Sequence, residues 1–135
     1  MTKTPTCIRS SAVIQVSDVV ASRDYYVDKL GFSAAGLWGD PPAFCIVGRG
    51  TVTLFLDQSR QDTLPVNQFW AAYIYVDDVD TLHDEFQGRG VEIPRGLEDQ
   101  PYGCRDFEIR DPDGHLIAFG QDLQPSAAGP GLGSS

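Results

Sequence analysis

A catalytic cavity needs a base, a nucleophile or a set of metal donors, and residues able to supply these are sparse in this chain. His83 falls within a helical stretch and His115 beside a turn, and both read as exposed surface histidines. Cys7, Cys45 and Cys104 are odd in number, widely spaced and free of any CxxC pairing. That pattern points to buried free thiols rather than a disulfide framework or a zinc knuckle. Aromatic side chains are more plentiful: Trp38, Phe44, Phe55, Trp70, Tyr73, Tyr75 and Tyr102, with Asp40, Asp57 and Gln15 as polar company. Such groups stack on flat rings and complement positive charge.

An internal repeat explains how these residues are positioned. Ile14, Gln15, Val16, Ser17, Asp18, Val19 is echoed by Ile74, Tyr75, Val76, Asp77, Asp78, Val79. In both copies an alternating apolar strand runs into an Asp placed to cap a helix. The helices are expected to reach about Leu30 and Gly88, with Ser22, Tyr25, Tyr26 and Leu30 on one face of the first and Val79, Leu82 and Phe86 on one face of the second. Gly31 and Gly90 stop them. Strand-like runs follow at residues 32–38, 43–47 and 51–57, then at 91–94, 104–110 and 115–121, punctuated by turn residues. The order is βαβββ twice.

Strand parity separates two faces. Ile14, Val16, Leu54, Leu56, Ile74, Val76, Ile117 and Phe119 are uniformly apolar and are expected to meet the helices. The alternate positions, among them Ser11, Val13, Gln15, Thr53, Phe55, Asp57, Ala71, Tyr73, Tyr75, Leu116, Ala118 and Gly120, mix small, aromatic and polar groups and are expected to line a cavity. By the same parity that cavity offers Asp57, Tyr73, Tyr75 and Glu108 but no paired acid and base.

Composition bounds the partners. With 135 residues, 41% hydrophobic and 21% charged, the chain suits one ordinary globular domain over residues 1–123, with a first half at 7–57, a linker at 58–68 and a second half at 69–122. Residues 124–135, rich in Gly, Pro, Ser and Ala, read as a disordered tail. A formal net charge of −9 repels phosphate backbones and argues against nucleic acid; it favours a cationic partner, or serves solubility alone. No stretch approaches the roughly 20 apolar residues of a transmembrane helix, and residues 1–11 lack the apolar run of a secretory signal, so no membrane association and a cytoplasmic location are expected.

A duplicated βαβββ unit, an Asp-capped helix leading into Leu30, Gly31, Phe32, and the turn Asp111, Pro112, Asp113, Gly114 before the last strand together resemble the vicinal-oxygen-chelate superfamily over residues 11–122. The resemblance implies an α+β fold in which two βαβββ repeats form a curved mixed sheet around a cavity. In metal-dependent members one ligand stands on each of four cavity strands. Repeat register carries these positions onto Ser11, Phe55, Ala71 and Ala118, none of which binds a metal well. No metal and no cofactor are therefore expected.

The segment from Gln100, Pro101, Tyr102, Gly103 to Arg110, Asp111, Pro112 is most similar to bleomycin-resistance proteins. That similarity implies stacking roles for Phe44 and for Tyr102, the two gripping one flat ring from different subunits of a homodimer. Trp38, Trp70, Phe55 and Tyr73 would extend the lining, with Asp57 as a polar partner. Each has a plainer alternative: strand packing for Trp38 and Phe44, cavity filling or a dimer contact for Phe55 and Tyr73, a solvated strand end for Asp57. The function implied is a metal-independent protein that sequesters a bleomycin-like or other flat cationic drug. An isomerase or lyase of the same fold acting on a small carbonyl compound, and an interaction module without a ligand, are the alternatives.

Overall fold

Aspartate caps and alternating strands produce the expected order twice. A computed structural model describes residues 3–124. The first half runs β1 (Ala12–Val16), α1 (Val19–Asp28), β2 (Ser33–Trp38), β3 (Phe44–Arg49) and β4 (Val52–Gln58); the second runs β5 (Trp70–Tyr75), α2 (Val79–Gly88), β6 (Glu92–Asp99), β7 (Cys104–Arg110) and β8 (Leu116–Asp122). Each half is a four-stranded mixed sheet, ordered β1-β4-β3-β2 and β5-β8-β7-β6, in which the first-named pair is parallel and the others antiparallel. Apart from Gln124, the stretch expected to be a disordered tail lies outside the described residues.

Both helix starts are fixed by their caps. Asp18 accepts from the backbone N–H groups of Val20 and Ala21 at 3.1 Å each, and Asp78 accepts from that of Thr81 at 3.1 Å. Each such cap stabilises by about 1 kcal/mol. The chain leaves the helices at Gly31 and Gly90, with φ of 72° and 74°. Gly31 is constrained twice, because an added Cβ would stand 2.7 Å from the Arg49 guanidinium.

The apolar parity set meets the helices as expected, and one cluster of buried side chains, including Leu56, Phe86, Phe107 and Phe119, runs through both halves. Strand β6 is longer than the expected 91–94. It lies at a sheet edge and its register against β7 shifts twice, which is where Pro94, lacking an N–H, is tolerated.

The halves hold each other reciprocally. At the end of β3, Arg49 Nη1 donates to Leu30 O and Glu85 Oε2 (both 2.8 Å) while Nη2 donates to Glu85 Oε1 (3.0 Å) on α2. The turn after β7 answers from the other side: Tyr26 Oη on α1 donates to Asp111 Oδ2 (3.0 Å), and His115 Nε2 lies 2.6 Å from Gln15 O.

Both histidine expectations are corrected here. His115 is buried because the 111–114 turn folds onto α1 and β1. His83 has a side chain only 16% exposed, its ring meeting Phe107 edge-on at 5.2 Å. Cys45 and Cys104 are buried as expected, whereas Cys7 is exposed, since residues 3–10 precede the first strand and pack against nothing that covers them.

Candidate functional site

Two aromatic faces stand on the sides of the sheets away from the helices. On the first sheet, Trp38, Phe44 and Phe55 make a chain of rings with centroids 5.9 and 5.4 Å apart. Cross-strand pairing of Trp38 with Phe44, and of Phe44 with Asp57, puts all four residues on one surface. Asp57 is half-buried and accepts from Gln15 Nε2 at 3.0 Å, so it is a bonded group rather than a free strand end.

On the second sheet, Trp70, Tyr73 and Tyr75 are spaced 5.0 Å centroid to centroid, and Tyr102 meets Tyr73 edge-on at 6.4 Å. Simple alternation places Ala71 on this face and Trp70 on the other. A register shift between Trp70 and Ala72 brings Trp70 round beside Tyr73 instead. Tyr73 lies directly over Gly120, where any Cβ would overlap its hydroxyl, so Gly120 is covered rather than lining open space; Ala118, paired with Tyr73 across the sheet, is buried too.

Three of these four aromatics have their polar tips engaged by the protein, Tyr75 being the exception among the described residues. Tyr73 Oη donates to Asp106 Oδ2 at 3.0 Å, Tyr102 Oη makes a short hydrogen bond to the same oxygen, and Trp70 Nε1 donates to Glu108 Oε1 at 2.9 Å. Asp106 has no exposed side-chain surface and also accepts from Gln100 Nε2 (3.1 Å) and Arg95 Nη2 (2.5 Å). Arg95 reaches Glu108 as well, at 3.5 Å. Burial alone would push the Asp106 carboxyl up, but the hydrogen bonds from Tyr102, Arg95, Tyr73 and Gln100 outweigh it and hold the carboxyl below its ordinary range. Burial, followed by the pull of Asp106, raises the Tyr102 phenol well above 10. For Tyr73 burial is again first, with Cys104 and Asp106 adding to it.

Sequence parity flagged Glu108 on this face but passed over Asp106, which is two residues away on the same strand and so on the same side. Arg95 and Gln100 carried no signal, because irregular pairing along β6 hides which way an edge residue points. Both faces remain open to solvent within one chain: Trp38 is 50% exposed, Tyr75 57% and Tyr102 40%. A cavity of about 440 Å³ lies elsewhere, between the halves on the helix-facing side, floored by core residues such as Phe32 and Phe119.

The four register positions do not fit a divalent metal. Ser11 Oγ is bonded to Thr53 Oγ1 at 2.5 Å, Phe55 is an aromatic ring, and Ala71 and Ala118 are methyl groups. Imidazole, carboxylate or thiolate donors are what such a site requires.

The family model described as the Glyoxalase/Bleomycin resistance protein/Dioxygenase superfamily matches residues 9–119. The chain belongs to this superfamily. It is 29% identical over 133 residues to the bleomycin resistance protein of Geobacillus stearothermophilus, covering 87% of this chain and 98% of that protein. Among solved structures it is similar to the bleomycin-binding protein from bleomycin-producing Streptomyces verticillus complexed with copper(II)-bleomycin, at 27% identity and a TM-score of 0.69 over 86% of this chain and 97% of that one. It is equally similar to TnmS3, an antibiotic binding protein from Streptomyces sp. CB03234, with 27% identity and a TM-score of 0.69 over 87% and 99% of the two chains. Among the described residues no helix is long and apolar enough to cross a membrane.

Proposed function

We propose that this superfamily member is a non-enzymatic antibiotic-binding protein, working without a metal of its own, that sequesters a bleomycin-like or other flat cationic drug. The observation that carries this reading is the second-sheet face. Trp70, Tyr73 and Tyr102 offer ring surface there, while the carboxylates beside them are already hydrogen-bonded by the protein. Carboxylates so engaged serve poorly as general bases but still lend the face negative charge, which suits a cationic ring system. Asp57 on the first sheet, also bonded, adds to that charge.

The proposal includes a homodimer in which the first-sheet face of one copy closes on the second-sheet face of the other. Half-exposed Trp38, Tyr75 and Tyr102, with Val13 at 59%, form apolar surface that a lone chain leaves wet. The ligand then lies between Phe44 of one copy and Tyr102 of its partner, with Trp38, Phe55, Trp70, Tyr73 and Asp57 around it. Calorimetric titration with bleomycin should give one drug per chain, and light scattering should give twice the 14.7 kDa chain mass. Tyr102→Ala and Phe44→Ala should each weaken binding about 10- to 100-fold, or about 1.4–2.8 kcal/mol, while leaving the fold intact. A monomer at micromolar concentration, or both variants binding as the parent does, would overturn the intersubunit cleft.

A cytoplasmic location is part of the same proposal. Cys45 on β3 and Cys104 on β7 stand in different sheets, and Cys7 precedes both. Thiol titration of the denatured protein, purified without oxidant, should return three free thiols. A lower count contradicts the reducing compartment.

A further inference from the structure

We propose that Asp106 is the positioning residue of this cleft: by accepting from the Tyr73 and Tyr102 hydroxyls together it locks two rings into a preformed stacking platform. This rests on the drug-binding reading above. Tyr73 comes from β5 and Tyr102 from the turn between β6 and β7, segments with no backbone pairing to each other. A single buried carboxylate on β7 joins them, since both hydroxyls bond the same Oδ2. The other oxygen, Oδ1, is held by Arg95 and Gln100, which leaves Asp106 no freedom to follow either ring alone.

The two aromatic faces differ in this respect. Trp38, Phe44 and Phe55 pack ring against ring without a side-chain hydrogen bond among them, and of the three only Trp38 has a polar side-chain atom. On the second sheet Trp70, Tyr73 and Tyr102 are each tied by their polar atom to β7, with Tyr73 also pinned over Gly120. Rings fixed before the ligand arrives lose no rotamer freedom on binding, and that gain appears mainly as slower dissociation. The tied hydroxyls have given their protons to Asp106, so toward a ligand Tyr73 and Tyr102 offer ring surface and an acceptor oxygen but no donor.

Bleomycin titrations of Asp106→Asn, Tyr102→Phe and the double variant test the proposal. Asp106→Asn is expected to weaken binding about tenfold, chiefly through faster dissociation, and Tyr102→Phe by somewhat less. The double variant should lose no more than Asp106→Asn, because both remove one linkage. Binding by Asp106→Asn within twofold of the parent, or losses that multiply in the double variant, would overturn it. Tyrosine ionisation, followed by absorbance at alkaline pH, gives a readout independent of any ligand. Tyr102 should ionise at lower pH in Asp106→Asn than in the parent, and an unchanged titration overturns the linkage. Failure of the parent to bind bleomycin removes the drug-binding reading, and the ionisation curve alone then decides whether Asp106 holds the two rings.

Discussion

Replacing Asp111 with alanine is expected to cost about 3–5 kcal/mol of folding stability, because two buried neutral donors lose their acceptor at about 1–3 kcal/mol each. Its carboxylate, in a residue only 4% exposed, accepts from Tyr26 Oη (3.0 Å), Asp113 N (3.0 Å) and His115 N (2.8 Å). Tyr26 and His115 are themselves buried, so their donors cannot turn to water when the acceptor is gone. The damage should spread to the join between halves, because the 111–114 turn is what seats the second half on α1 and sets His115 against Gln15. Burial raises the Asp111 carboxyl, which means the folded protein binds this proton more tightly than the unfolded chain. Its contribution is greatest below the unfolded value and declines as pH rises through the folded one, so the gap between parent and variant should be widest in acid. Urea unfolding across pH measures both effects. A loss below about 1 kcal/mol would show that the turn does not couple the halves.

Arg95→Leu should be nearly as costly, about 2–4 kcal/mol at neutral pH, and should exceed the cost of Asp106→Asn. The first change strands a carboxylate with no exposed surface and no counter-charge; the second removes the charge that needed one. The loss falls short of the full cost of a broken buried pair because the Arg95 side chain is 26% exposed and its charge is partly screened. In the parent the Asp106 carboxyl is lowered, so its contribution is present above the unfolded value and is lost as pH falls through the folded one. Without Arg95 one of the hydrogen bonds that oppose burial is gone, so the carboxyl is held down less. The variant should then recover toward the parent in acid, where Asp106 is protonated in both. Equal losses at pH 7 and in acid would show that packing of the Arg95 stem, rather than its charge, stabilises this corner.

Much of the fold was legible in the chain because its signals are local. Asp18 and Asp78 cap helices through N–H groups two and three residues away, and Gly31 and Gly90 end them through their own φ. Apolar alternation at Ile14, Val16, Leu54 and Leu56 needs only the two-residue period of a strand. The errors fell where a distant segment decides the outcome. His115 is buried by a turn folding onto α1, and parity put Ala71 on the cavity face where a register shift against β8 places Trp70. Asp106 was missed because an acidic residue in a strand ordinarily faces water, and the Arg95 that makes its burial tolerable lies on an irregular edge strand. Which aromatics cluster on the two faces was readable, and their anchoring was not. Ring identity is written in each residue, whereas a hydrogen bond from Tyr102 to Asp106 exists only once the 100–103 turn has closed.

Under the proposed function, the unequal tethering of the two aromatic faces divides the protein's capacity to change. Trp38, Phe44 and Phe55 are held by mutual contact, and exchanging one apolar ring for another there leaves no polar atom without a partner. That wall is free to drift and to reshape itself around new ring systems. Trp70, Tyr73 and Tyr102 are each bound into β7, so a substitution at any of them also takes a donor away from Asp106 or Glu108. Selection by a new drug should accordingly leave its mark first on the first-sheet wall, while the second-sheet platform stays as the part every ligand must fit.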